Sequence, residues 1–281
     1  MKPPENAPIP VLVTGTAGRV GRALRAIWGQ NAGENLPILW QSRGLDAVGD
    51  LHWDIGQNPP PVLPKGLIVL HLAGKTTGAV HENVAVTEAV CAAALAADAR
   101  HVFVMSTAAV YAPGPQPLDE GTAPAPQNPY GLSKRAAELL ALRMVPSNLT
   151  LLRLANLAGA DALLGTVRPH VSLDPIEGQQ GGPERSYIGP RVLAQVLASL
   201  LQRAARREDL PQVLNLAQQP PVAMADLLTA RGQPWSFGPS RAVAVARVVL
   251  NTDRLATLTD LPHTSPAALI ADMDSVPGWP R

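Results

Sequence analysis

The sequence predicts a doubly wound α/β fold on a parallel sheet, and three observations carry the prediction. Short apolar runs bounded by Gly, Pro or polar residues recur at 9–13, 37–41, 67–72, 101–105 and 149–154. Helical stretches ending near Trp28, from Glu82 to Ala99 and from Pro129 to Arg143 separate them. Strand alternating with helix is the pattern of parallel crossover units. The third observation is the turn Thr14-Gly15-Thr16-Ala17-Gly18-Arg19-Val20-Gly21-Arg22, which joins the first strand to the first helix. Its glycines suit a tight turn, a close backbone approach to a pyrophosphate and close helix–strand packing. In that setting the turn points to a dinucleotide site of Rossmann type, with the pyrophosphate at the helix N-terminus.

The second strand, Pro37 to Gln41, leads into Gln41-Ser42-Arg43. An Asp or Glu at this position would hold a ribose 2′-hydroxyl; none is present. Ser42 and Arg43 suit a 2′-phosphate instead, so the expected cofactor is NADP, with NAD as the alternative. Asp46, the nearest acid, follows Gly44. A third strand is expected over 50–53, with Asp54 and Ile55 beyond it. The run 67–72 is apolar throughout, as a strand buried on both faces should be, and ends in Ala73-Gly74-Lys75. A fifth strand at 101–105 delivers Ser106 and Thr107 to the edge of the sheet where ligands bind.

Asn128-Pro129-Tyr130-Gly131-Leu132-Ser133-Lys134 opens the central helix. Asn128 suits an N-cap and Pro129 the first helical position. Tyr130 and Lys134 lie one turn apart on one face. A free phenol titrates near about 10 and is a poor base at neutral pH. An ammonium beside it favours the phenolate, so the pair can carry a proton to or from a substrate oxygen.

Beyond Leu154 the pattern loosens. Residues 155–188 are Gly/Pro-rich without clear periodicity; a helix is expected over 191–205, a strand over 213–217, a helix over 224–230 and a helix start at Asn251 or Thr252. The expected organisation is a dinucleotide-binding domain over 1–154, rejoined by segments near 185–217, and a small substrate-binding lobe over 155–281. The acidic pairs Asp119-Glu120 and Asp272/Asp274 read as solvated surface.

With 281 residues, 46% hydrophobic and 16% charged, the chain has an ordinary globular balance. A net charge of +1 and 4% aromatic content give no case for nucleic acid or an anionic membrane. Cys91 has no disulfide partner, and no run approaches the length of a membrane span, so a reducing, cytoplasmic location is expected. The histidines show no metal-ligand spacing, and no metal is expected.

Taken together, the Thr14–Gly21 turn, Leu72-Ala73-Gly74, Ser106-Thr107-x-x-Val110-Tyr111, Asn128-Pro129-Tyr130-x-x-x-Lys134 and Arg153-x-x-Asn156-x-x-Gly159 resemble the extended short-chain dehydrogenase/reductases, the NAD-dependent epimerase/dehydratase family. The resemblance implies Tyr130 as catalytic acid–base, Lys134 as the residue that tunes it and holds the nicotinamide ribose, and Thr107 as the hydroxyl on the reacting oxygen. It implies cofactor contacts at Gly15, Thr16, Gly18, Arg19, Val20, Gly21, Asp54, Ile55, Leu72, Ala73 and Gly74. Lys75, Thr107, Asn156 and Arg185 are the candidates for facing substrate, a small molecule derived from carbohydrate. A homodimer paired through the helices at 82–99 and 129–143 is also implied.

Two departures narrow the reaction. Sugar 4,6-dehydratases of this family carry acids after the catalytic Thr, where this chain has Ala108 and Ala109. The Arg185 segment continues as Gly189-Pro190-Arg191 rather than with the acids usual in nucleotide-sugar members. The reading is an NAD(P)-dependent oxidoreductase; an NAD-retaining epimerase and a non-catalytic dinucleotide sensor are the alternatives.

Overall fold

The structure is a computed structural model that describes residues 8–29, 36–44, 51–166, 168–240 and 244–279. Asp46 and Asp50 lie outside them. In chain order the first elements are β1 (Val11–Thr14), α1 (Arg19–Trp28), β2 (Ile38–Ser42), β3 (Leu51–His52), β4 (Ile68–His71), α2 (Glu82–Ala96), β5 (His101–Thr107), α3 (Pro129–Met144) and β6 (Leu149–Leu154). Then follow β7 (Asn156–Leu157), β8 (Val171–Leu173), β9 (Glu184–Arg185), β10 (Tyr187–Ile188), α4 (Pro190–Ala205), β11 (Val213–Leu216), β12 (Val222–Ala223), α5 (Met224–Ala230), β13 (Trp235–Phe237), β14 (Arg247–Val248), α6 (Asp253–Ala256) and α7 (Pro266–Asp274).

Seven strands form the central sheet in the order β11-β6-β5-β4-β1-β2-β3. β1 runs parallel to both β2 and β4, β2 to β3, and β4 to β5. From β1 the chain winds outward through β2 to β3, then crosses back and resumes from β4 in the other direction. The reversal between β1 and β4 is where such sheets leave a crevice at their carboxyl edge. Both strands there are buried residue for residue, as strands covered on two faces must be.

By its contacts the chain divides into two compact units. One comprises Met1–Ser106, Asn128–Leu152 and Leu197–Val213; the other comprises Thr107–Gln127, Arg153–Val196 and Leu214–Arg281. A single cut at 154 does not describe this division, because 107–127 falls in the second unit. In the first unit Leu12, Val69, Val102 and Leu151 join Val90, Cys91, Ala94 and Ala141 in one core. The Ala-rich faces of α2 and α3 let the two helices pack on each other. Cys91 is buried there, and desolvation pushes its thiol up to about 11, an inert state. α2 stops at Ala96 rather than at 99, because Asp98 takes a φ of +48° and Ala99 N–H turns back to the Ala94 carbonyl.

In the second unit the stretch without sequence pattern, 155–188, contributes four two- or three-residue strands. Each is too short to show a period. Val110, Tyr111, Leu118, Ala217 and Leu250 form a core of this unit. Arg153 lies over the Tyr111 ring at 4.7 Å and donates to its hydroxyl, which in turn donates to Asn215. The two acidic pairs are not both solvated surface. The Glu120 side chain is only 3% exposed, accepts from the Asn215 amide and faces Arg254. Asp272 lies on α7 and caps α4, accepting from the backbone amides of Arg191 and Val192. Among the described residues no helix is long and apolar enough to cross a membrane.

Candidate active site

The glycine-rich turn leaves β1 through Gly15, whose φ is +73°. A side chain there is excluded twice over: its Cβ would lie 2.5 Å from the Ala73 amide nitrogen, inside the loop that ends β4. A Cβ on Gly21 would meet Thr16 Cα at 2.5 Å, so this glycine lets α1 close onto the turn. Gly18 caps α1 with extended backbone and no side-chain hydrogen bond, and the first turn of the helix carries no acid. This end of α1 thus carries no side-chain cap and no acid to compete with an anion, the arrangement that suits phosphate. Thr16 is buried and donates to the Gln41 carbonyl, whereas Gly18 and Arg19 are exposed.

The end of β2 differs from the sequence reading in one respect. Gln41 is buried and bonded inward, accepting from Gly15 N–H and donating to the Trp53 carbonyl. Ser42 closes a local turn on Gly44, and its hydroxyl both donates to the Gly44 carbonyl and accepts from the Gly44 amide. Arg43 is exposed. The Asp54 carbonyl accepts from the amides of Gln57 and Asn58, and Ile55 is buried.

Tyr130 and Lys134 are in the first two turns of α3, whose N-cap is Asn128, accepting from Gly131 N–H at 2.8 Å. Lys134 is 6% exposed, and its Nζ lies 3.8 Å from where a Cβ on Gly74 would stand. The missing side chain at Gly74 keeps space open over the ammonium. Burial lowers Lys134 to about 8, against the opposing pull of the Glu138 carboxylate. At neutral pH the residue is a cation, close enough to its titration point to respond to a neighbour.

A chain of hydrogen bonds ties this helix to the glycine-rich turn. Ser133 Oγ donates to the Tyr130 carbonyl at 2.8 Å and accepts from Asn83 Nδ2 at 3.0 Å. Asn83 also clamps both backbone groups of Lys75, at 2.6 and 3.0 Å. Its own carbonyl accepts from Thr87 Oγ1, which lies 3.2 Å from His71 Nε2. Because the Thr87 proton is committed to Asn83, the imidazole must donate through Nε2 and accept at Nδ1 from Thr14 Oγ1, 2.8 Å away. His71 is fully enclosed, and burial, reinforced by the Lys134 charge, drops it to about 3, so it stays neutral. The sequence reading missed His71, Thr87 and Ser133 and gave Asn83 no role; for His71, a lone polar residue in the apolar run 67–73, that isolation was the available signal. Lys75 points its ammonium at Glu82, 2.7 Å away, on a partly exposed surface.

Thr107, Asn156 and Arg185 belong to the second unit. Thr107 ends β5, and its Oγ1 accepts from Ala109 N–H at 3.2 Å. Asn156 is half-buried on β7, beside Tyr187 of β10. Arg185 donates to the carbonyls of Glu184, Val245 and Ala246, so its guanidinium serves the loop around β14. That loop borders a cavity of about 570 Å³ whose wall includes Gly114, Gln179 and the ion pair between Glu184 and Arg247. Tyr187 donates to the half-buried Asp161 at 2.8 Å, and desolvation pushes both groups up. Among the described residues no group of His, Cys, Asp or Glu is placed to hold a metal.

Residues 71–181 match the model of the NAD dependent epimerase/dehydratase family. The family resemblance read from the motifs is thereby borne out over the stretch that holds Gly74, Thr107, Tyr130, Lys134 and Asn156. A search of curated proteins finds no match. Among solved structures, a UDP-glucose 4-epimerase from Brucella ovis in complex with NAD superposes with a TM-score of 0.76 at 20% identity, over 93% of this chain and 96% of that one. A UDP-glucuronic acid 4-epimerase from Bacillus cereus gives 0.74 at 16% identity, over 95% and 99% of the two chains. An NDP-hexosamine 5,6-dehydratase involved in tunicamycin biosynthesis gives 0.72 at 17%, over 95% and 98%. At these identities the likeness establishes the fold: a Rossmann-type α/β sheet covering nearly the whole length of each neighbour.

Proposed function

We propose that the protein is an NAD(P)-dependent oxidoreductase acting at a carbonyl or hydroxyl carbon of a sugar-like or nucleotide-sugar substrate, with Tyr130 as acid–base. The observation that carries this reading is Lys134: a lysine buried one turn after Tyr130, beside a glycine that leaves room above it. A merely structural lysine gains nothing from such enclosure, since burial opposes its charge.

The residues present fit a nicotinamide dinucleotide. Gly15, Gly18 and Gly21, with the uncapped amides of α1, suit its pyrophosphate, Ala73 and Gly74 its path along the sheet edge, and Lys134 its ribose. When bound, the cofactor supplies the two-electron acceptor or donor. The protein's part is the proton: Lys134, cationic at neutral pH, favours the Tyr130 phenolate, which takes the proton from a substrate hydroxyl or returns it to a carbonyl. The resemblance gives Thr107 the hydrogen bond to the reacting oxygen, and accepting from Ala109 leaves its O–H to donate. The absence of a carboxylate over 41–44 and the exposed Arg43 support NADP; the NAD in the neighbouring structures supports NAD as the second choice.

An NAD-retaining epimerase is the second reading, favoured by the 4-epimerases among the structural neighbours. Incubation with NADP or NAD and a panel of UDP-hexoses and free sugars separates the two. Cofactor reduced in proportion to product supports the oxidoreductase; interconversion of two sugars with no net change in cofactor supports the epimerase; turnover of none under either condition rejects both. We also propose a homodimer through α2 and α3, where Leu95, Leu132 and Leu139 are about half exposed. Light scattering should give twice the 29.5 kDa chain mass.

A further inference from the structure

Glu138 stands one helical turn beyond Lys134, on the same side of α3, and its side chain has no exposed surface. Carboxylates are rarely enclosed without partners. Here one oxygen accepts from the Ser106 hydroxyl at 2.6 Å and the other from Arg135 at 2.9 Å. Ser106 is itself buried, at the end of β5, so this bond fastens the helix to the sheet. Arg135 alone would account for a surface ion pair at this spacing. It does not account for a carboxylate turned entirely inward while its partner's side chain remains 27% exposed.

We propose that Glu138 is a positioning residue for the Tyr130–Lys134 pair, its enclosed carboxylate holding Lys134 as an ammonium while Ser106 fixes the carboxylate to the end of β5. The charges around Lys134 on each packed element bear this out. On α3, Tyr130 precedes it and Arg135 follows; β4 offers His71, held neutral; Lys75, in the loop after β4, is ion-paired at the surface with Glu82 at the start of α2. Burial drives Lys134 toward the neutral amine, and Glu138 is the carboxylate whose charge opposes that drift. Without it, an uncharged Lys134 could not favour the phenolate.

The inference rests on the acid–base reading of Tyr130, and its test does not require turnover. The sequence contains four lysines, Lys2, Lys65, Lys75 and Lys134, so the ε-carbon resonances of ¹³C-lysine protein can be followed individually through a pH titration. Glu138→Gln should lower the Lys134 midpoint by at least about one pH unit, whereas Glu138→Asp, which keeps the charge, should leave it near the wild-type value even if the melting temperature falls. Should Glu138→Gln not fold, Arg135→Gln serves at a partly exposed position: losing a competing cation, Lys134 should titrate higher. An unmoved midpoint in Glu138→Gln, an equal displacement in the Asp variant, or a fall in Arg135→Gln would each overturn the proposal. A displaced midpoint in a protein that Tyr130→Phe leaves fully active would retain the Glu138–Lys134 coupling and reject the acid–base reading instead.

Discussion

Gln41 reaches from the end of β2 back to the glycine-rich turn, where its Oε1 accepts from Gly15 N–H at 2.9 Å while its Nε2 donates to the Trp53 carbonyl at 2.7 Å. The side chain at the strand end that governs ribose recognition is thus part of the scaffold, bracing the turn from beneath. Gln41→Glu keeps the acceptor for Gly15 but sets a buried carboxylate against a carbonyl. It should cost about 1–3 kcal/mol of stability, read as a lower urea midpoint, and should bring no gain in NAD affinity over NADP.

In the proposed function Arg43 carries the choice of cofactor. Arg43→Ala should weaken NADPH by roughly ten-fold, the size of a charge-assisted hydrogen bond at an exposed site, and leave NADH unchanged. Calorimetry at two salt concentrations checks this, since the difference should shrink as salt rises. Tighter binding of NADH by the wild-type protein would reject the NADP preference outright.

Tyr130→Phe removes one hydroxyl and leaves in place the bond from Ser133 to the Tyr130 backbone carbonyl. Once a substrate is in hand, kcat should fall by about 10²–10⁴-fold, with cofactor affinity kept within a few-fold. Lys134→Met should lower both. Wild-type activity should decline as pH rises through about 8, where Lys134 loses its charge; a flat profile from pH 7 to 10 would remove Lys134 from the mechanism.

Two buried histidines predict acid lability. Burial lowers His71 to about 3 and His101 to about 4, both from 6.5. His101 bonds Thr150, whose own proton goes to the Pro211 carbonyl. Below 6.5 the unfolded chain takes up protons that the folded protein refuses until these lower values, so stability falls as pH drops through that window. The loss should be on the order of a few kcal/mol. His101→Gln should flatten the melting temperature between pH 7 and 5; an equally steep profile would place the acid-sensitive groups elsewhere.

The Gly159 position is closed by the C-terminal region. Its φ is +81°, and a Cβ would come within 2.0 Å of the Trp279 indole nitrogen, which donates to the Ala158 carbonyl. Gly159→Ala should destabilise by about 1–3 kcal/mol or more, the range for overpacking. Trp279→Leu should relieve much of that cost in the double variant, since the two effects share one contact.

The parallel sheet and the candidate site were legible because each had a local signature. A glycine triplet between strand and helix, a Tyr and a Lys four apart, and an Asn-Pro cap each determine geometry within one turn of chain. Glu138 was missed because a Glu at i+4 from a Lys reads as an ordinary surface pair; only its enclosure under Ser106, thirty-odd positions away in sequence, gives it meaning. Residue 41 was read for what it lacks, an acid, while its bonds to Gly15 and Trp53 depend on how three chain segments meet. Asp272 read as solvent-facing because the helix it caps begins some eighty residues earlier. The second unit stayed opaque because strands of two or three residues carry no period.

The discontinuous make-up of the second unit bears on the order in which the protein can be built. Leu118 donates its amide to the Val249 carbonyl, and its own carbonyl accepts from Asn251 N–H. Tyr111 finds its acceptor on Asn215. A ribosome releases residues 107–127 well before these partners exist, and 128–152 meanwhile has its own place in the first unit. The early segment must therefore wait, its apolar side chains exposed, until the chain has been extended past 251. Closure at such separation is slow, and waiting apolar segments invite association with other chains. A nascent chain stalled before that point would be a natural client for a holding chaperone, and one released after it would not.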